Sequence, residues 1–328
     1  MNLPVEDIAS LRHSFTGTTG RGCRWCRATP LFTSTLLLAV LCATASLASP
    51  QTNVQSKDGY VRRKGDDWVL GSSVAEKRIR LKGGQLVLAS LLNKMSGREY
   101  QDASSAPAEI RFVINGQNVS APSWKWSLRG EKAVLGKQGE IQLDIELEHA
   151  GISVAKHYVV YPETPVIREW LTIENSTNES IRISHVDFLH TGILSSNARD
   201  LQFNYLTGGG NFNGSQLLKS EPMDPAYHRM LDSNGGIQPG SYSGFLPLVF
   251  LLNQSSTEGV AVGWDYLGHW CFEIENEEGQ PLIMRLELAG FEKGLPPGGR
   301  IDTPKAFIAP FSGGVDELGN QLLDWQYG

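Results

Sequence analysis

Apolar and polar residues alternate with a period of two along most of this chain. From Glu140 to Glu148, Ile141, Leu143, Ile145 and Leu147 fall on one side and Gln142, Asp144, Glu146 and Glu148 on the other, which is the spacing of a half-buried antiparallel strand. Similar runs cover 79–92, 109–114, 152–160, 166–173, 181–189, 248–252, 259–265, 269–274 and 282–288. Turn signals separate them: Lys82-Gly83-Gly84, Asn115-Gly116, Ala150-Gly151, Pro162 to Pro165 and Asn175 to Asn178. No amphipathic helix of useful length intervenes, so the pattern predicts an all-β fold, a large antiparallel sandwich with many strands.

Four regions break the alternation. Residues 1–48 carry Arg21, Arg24 and Arg27, then the apolar run Leu31 to Leu47, then small residues ending at Ala48. Those are the three parts of a secretory signal with cleavage near Ala48, and the expected location is periplasmic or extracellular. Residues 49–65 are polar and read as a flexible leader to a sandwich spanning 66–310. From Thr207 to Tyr242 the chain is rich in Gly, Asn, Ser and Pro, longer than a structural connection needs. In 311–328, Val315, Leu318, Leu322 and Trp325 recur at helical spacing behind Asp316 and Glu317, which suit a helix N-terminus.

Charge and cysteine content narrow the partners. The whole chain carries −6, and the first 48 residues hold four arginines against two acids, so the remainder carries −8. With no basic stripe, nucleic acid is not an expected partner. Only Cys271 lies beyond that segment, which leaves no internal disulfide in an exported chain. The apolar run is short for a membrane span, and no span is expected in the mature chain.

The densest candidate chemistry runs from Gly244 to Trp270. Asp265, Tyr266, His269 and Trp270 put carboxylate, phenol, imidazole and indole side by side, and flat aromatic faces beside hydrogen-bonding groups suit a pyranose. Tyr227 and His228, in the long Gly-rich stretch, join them as candidate carbohydrate-binding residues. Alternation places Trp264 with Val260 and Val262 on the core face, and Trp270 nearer any pocket. His185 and His190 fall on opposite faces of a strand, a poor geometry for metal, so neither a metal nor a cofactor is expected. A proton shuttle of His185, His190 or His228 with Glu169 or Glu174 would make a mutarotase. Ser241, Ser243, Asp265 and His269 hold the residue types of a nucleophilic triad without its strand-turn-helix elbow.

The ordered set Pro247-Leu248-Val249-Phe250-Leu251, Gly259 to Asp265, Trp270, Leu295-Pro296-Pro297-Gly298, Pro304 to Ile308 and Gly314 to Asn320 resembles the N-terminal β-supersandwich domain of family 36 glycoside hydrolases, the α-galactosidase and raffinose-synthase group. The likeness is sharpest over residues 240–328. It implies a galactose-mutarotase-like supersandwich, with 311–328 as the start of a linker helix to a catalytic barrel that this chain lacks. The family's Lys-Trp-Asp nucleophile motif has no match, since Lys125-Trp126 continues with Ser127 and Trp264-Asp265 follows Gly263. The resemblance therefore implies a non-catalytic domain of an exported α-galactosidase-type enzyme, scaffolding and helping to wall a sugar pocket, with galactoside-like carbohydrate and the missing barrel as partners. The alternative is a stand-alone carbohydrate-binding or aldose-mutarotase-like protein. An uncovered helix stripe at 311–328 would make the chain self-associate.

Overall fold

A computed structural model describes residues 52–101, 106–193, 200–207, 217–224, 226–234, 244–255, 257–277 and 280–328. The chain divides into Met1–Leu47 and Ala48–Gly328, and every described residue belongs to the second unit. The expected signal segment, with Cys23, Cys26 and Cys42, lies outside the described residues, as do Ser241 and Ser243.

The strands are β1 (Val54–Ser56), β2 (Gly59–Lys64), β3 (Asp67–Gly71), β4 (Ala75–Lys82), β5 (Gln85–Asn93), β6 (Arg98–Glu99), β7 (Val113–Ile114), β8 (Gln117–Asn118), β9 (Ser127–Leu135), β10 (Ile141–His149), β11 (Ile152–Val160) and β12 (Ile167–Asn175). They continue as β13 (Ile181–Ser184), β14 (Asp187–Ile193), β15 (Leu201–Leu206), β16 (Leu218–Pro222), β17 (His228–Asp232), β18 (Leu248–Asn253), β19 (Glu258–Asp265), β20 (Trp270–Glu275), β21 (Leu282–Leu288), β22 (Glu292–Leu295), β23 (Arg300–Asp302) and β24 (Lys305–Ser312). Helix α1 (Val315–Tyr327) follows. Strands β1 to β6 pair in chain order into one antiparallel sheet. Ten strands form the largest sheet, in the order β16-β15-β18-β19-β24-β12-β11-β10-β9 with β23 beside β12. Two four-stranded sheets, β14-β21-β20-β17 and β22-β13-β7-β8, complete an all-β sandwich.

The period-two pattern explains the packing. Ile141, Leu143, Ile145 and Leu147 are fully buried, and they join Val61, Trp68, Ile79, Phe188, Phe272 and Leu286 from the opposing sheets in one core. The expected run 181–189 is two strands, because His185 takes a left-handed backbone (φ 50°) and turns the chain between β13 and β14. The polar stretch 49–65, expected as a flexible leader, carries β1 and β2 over its described part. Its few apolar groups decide this: Tyr60 and Val61 are buried, and Val61 enters the core. Likewise β16 and β17 lie within 207–242, where the sequence pattern predicts only loop.

The ten-stranded sheet has a second, smaller apolar layer on its outer face, made by Val166, Phe250, Leu252, Ala261, Phe307, Ala309 and Phe311. Helix α1 covers it. Leu318 is buried there, with Leu322 and Trp325 packed against the cluster. Glu317 starts the helix by accepting from the Gly314 backbone N–H at 2.8 Å, and Gln321 Nε2 donates to the Ser312 carbonyl at 2.9 Å. The expected uncovered stripe is thus largely spent on the chain's own sheet, leaving Val315, Leu323 and Tyr327 exposed. Among the described residues no helix is long and apolar enough to cross a membrane.

Candidate functional site

Where α1 ends against the sheet, a cleft of about 590 Å³ opens. Its floor exists because Gly263 is small: a Cβ there would sit 2.3 Å from the Phe307 ring, so glycine lets Phe307 lie across β19. The Trp325 indole packs 5.1 Å from Phe307 and edge-on to Tyr161 at 5.6 Å. At the rim the Arg168 guanidinium of β12 pairs with the Asp265 carboxylate at the end of β19, and it lies 5.9 Å from the Trp325 ring centroid. Gln138 and Gln326 add amides to the lining, and Asp265 is the single carboxylate among the lining residues. Aromatic faces beside an ion pair and amides suit a neutral polyol ring, which offers CH faces and paired hydroxyls.

The six residues singled out from the sequence do not converge here. Asp265 lines the cleft; Tyr266 instead lies edge-on to Phe188 at 6.4 Å. His269 is exposed and pairs with Asp232 at 2.9 Å. Trp270 does not sit nearer the pocket: Trp264 and Trp270 are each 3% exposed, edge-on at 4.6 Å, and it is Trp264 that lines the cleft. The reason is register, since Trp270 opens β20 opposite Leu288 and its ring enters the core between the sheets. Tyr227 and His228 stand apart from the cleft in other networks. Tyr227 and Tyr205 donate to the two oxygens of Glu221 at 2.6 and 2.7 Å, and Arg229 Nη2 donates to the Tyr205 hydroxyl at 3.0 Å. Burial works against the Glu221 charge, but the two phenols and Arg229 outweigh it and hold its carboxyl below the usual range. His228 pairs with Glu273 at 2.7 Å.

The mutarotase grouping is also separated. His185 is exposed against Glu287 at 2.9 Å, and buried His190 bonds the Ala108 carbonyl. Glu169 points into the sealed interior, where it meets Lys156 at 2.8 Å and Lys77 at 3.2 Å, while Glu109 meets Lys77 at 3.0 Å. None of these four side chains is more than 2% exposed. Burial disfavours the Glu169 charge, yet Lys156 and Lys77 hold the carboxyl below its ordinary range. Tyr158 donates to Glu109 in the same cluster, and burial beside two carboxylates pushes its phenol far up. Among the described residues no group of three His, Cys, Asp or Glu gathers as a metal site. Sequence reading missed Tyr161, Arg168 and Phe307 as cleft residues. The available signal was alternation, which puts Arg168 and Phe307 on the faces opposite Ile167 and Ile308.

No family profile and no curated protein matches the sequence. Solved structures do match. The galactosidase domain of the α-galactosidase–sucrose kinase AgaSK aligns over 80% of this chain and 43% of its own, with TM-score 0.64 and 14% identity. The GH36 α-galactosidase AgaB from Geobacillus stearothermophilus aligns over 80% and 42%, with TM-score 0.61 and 15% identity. A variant of the GH36 α-galactosidase AgaA from the same organism, in complex with raffinose, gives the same coverage with TM-score 0.59 and 14% identity. The chain thus spans about two-fifths of the length of these enzymes, and its fold is the β-sandwich fold that GH36 α-galactosidases carry over that part of their length.

Proposed function

We propose that this chain is the non-catalytic supersandwich part of an exported α-galactosidase-type glycoside hydrolase, scaffolding a catalytic domain and lending it one wall of a sugar pocket. The carrying observation is the fold shared with α-galactosidases over only two-fifths of their length. The distribution of carboxylates supports it. A retaining glycosidase holds two about 5 Å apart across the scissile bond. Here the cleft has Asp265 alone among its lining residues, and Glu109 and Glu169, which share Lys77, are sealed from any substrate. The wall is the α1 cleft, with Trp325 and Phe307 for the CH face of a galactoside ring and Arg168 with Asp265 for its hydroxyls.

The test is calorimetric titration of the chain with raffinose, repeated on Trp325→Phe and Asp265→Asn. Binding should weaken about tenfold with loss of the charged acceptor. Affinity unchanged in both variants would remove the cleft from the proposal. The alternative, a mutarotase-like protein, predicts faster interconversion of galactose anomers in a polarimeter; the separation of His185, His190 and His228 from one another's pockets favours no acceleration.

A further inference from the structure

The solvent face of the six-stranded sheet carries a different kind of site, independent of the sugar cleft. A groove of about 780 Å³ there is lined by Arg78, Arg80, Lys82 and Lys125, with Asp67 as its single acid. Arg80 is neutralised by Asp67 through a two-point contact, 2.5 and 2.9 Å, and Arg78 by Glu76 at 2.7 Å. Lys82 and Lys125 have no carboxylate partner among the described residues. In a chain of net charge −6, two unneutralised lysines beside two paired arginines give this concavity a local positive potential that the whole molecule does not have.

Lys125 is held in place rather than loose on the surface. Its Nζ donates to the Gly83 carbonyl at 2.7 Å. Its stem lies against Gly84, where a Cβ would come within 2.8–2.9 Å of the Lys125 Cδ, Cα and Cβ. Gly84 also has φ +80°, so the turn needs glycine for its backbone as well as for the close approach. Behind the cations sits an acceptor without a donor. Gln85 spends its amide nitrogen on the carbonyls of Val119, Ala121 and Trp124, at 3.3, 3.3 and 2.5 Å, and its Oε1 is buried with no hydrogen-bond partner. Pro107 and Pro122 give the groove an apolar wall.

Unpaired cations call for an anion, an orphan acceptor calls for an O–H donor, and the proline wall calls for CH groups. A uronate residue supplies all three. We propose that this groove binds an acidic oligosaccharide, its carboxylate between Lys82 and Lys125 and a hydroxyl, directly or through one water, toward Gln85 Oε1. The size falls within the range of small-molecule sites.

The experiment is titration of the full chain with trigalacturonate, galactotriose and inorganic sulfate, on the wild type and on the double variant Lys82→Gln, Lys125→Gln. Trigalacturonate should bind at least about tenfold more tightly than galactotriose, weaken steeply between about 50 and about 300 mM salt, and lose about tenfold or more in the double variant at unchanged melting temperature. Asp265→Asn, in the separate α1 cleft, should leave it unaltered. Equal binding of the two trisaccharides, no binding of trigalacturonate, or retention in the double variant would each overturn the proposal. Sulfate binding as tight as trigalacturonate would reduce the groove to a general anion site and overturn it as a sugar site.

Discussion

Arg168 and Glu169 are neighbours in the chain and opposite in fate. Both stand on β12, and the pleat sends Arg168 to the outer face, paired with Asp265 at 25% and 50% exposure. Glu169 goes inward to a network with Lys77, Lys156 and Glu109 that water does not reach. The residue types are nearly the same on the two faces, so chemistry alone does not distinguish them. Access does. The outer pair is available to a ligand and contributes little to stability; the inner network contributes strongly to stability, in the sense that breaking it is costly, and is closed to ligands.

Breaking the inner side should give the largest effect. Lys77→Met leaves Glu169 with Lys156 alone and Glu109 with the Tyr158 hydroxyl but no ammonium, and urea denaturation should register a loss of about 3–5 kcal/mol. A loss below about 1 kcal/mol would mean that the two faces do not differ as described. The next effect comes from His190, beside the same interior. Burial lowers its pKa to about 4, so the folded state holds it neutral. Since the folded value lies below the unfolded 6.5, its stabilising contribution is present above pH 6.5 and is lost as pH falls toward about 4, by about 3 kcal/mol at most. His190→Asn should flatten the stability curve across that window, and an unchanged slope would contradict it.

Helix α1 separates the outer face into a covered and an open part. Deleting residues 314–328 would uncover Phe250, Leu252, Phe307 and Phe311. Sedimentation velocity should then show the shortened chain associating more than the full one, the reverse of what a free apolar stripe on the helix implies. The smallest effect belongs to the outer pair: Asp265→Asn should change stability by less than about 1 kcal/mol while weakening raffinose binding.

Much of the architecture is legible in the sequence because strand alternation is a local signal. The face of Ile141 to Leu147 reads directly, as does the C-terminal helix from its four spaced apolar residues. Strands β1, β2, β16 and β17 do not read, because their apolar content is one or two residues, and β17 in addition pairs with β20, far along the chain. The site was legible only in part for the same reason. Asp265 stands out because aromatic and polar groups crowd around it in the sequence, but Arg168, Tyr161 and Trp325 line the same cleft from β12, the turn before β12 and α1, and only the assembled sheet brings them together. Trp270 misled because a tryptophan after a turn looks accessible until register places it inside.

The most direct measurement of the difference between the faces is hydrolysis of 4-nitrophenyl α-galactoside by the purified full chain. With Asp265 as the single carboxylate lining the cleft and Glu109 and Glu169 sealed in the interior, the chain should release no nitrophenol above a buffer blank. Turnover that survives repurification and disappears in Asp265→Asn would contradict that, making the outer cleft an active site and the chain an enzyme in its own right.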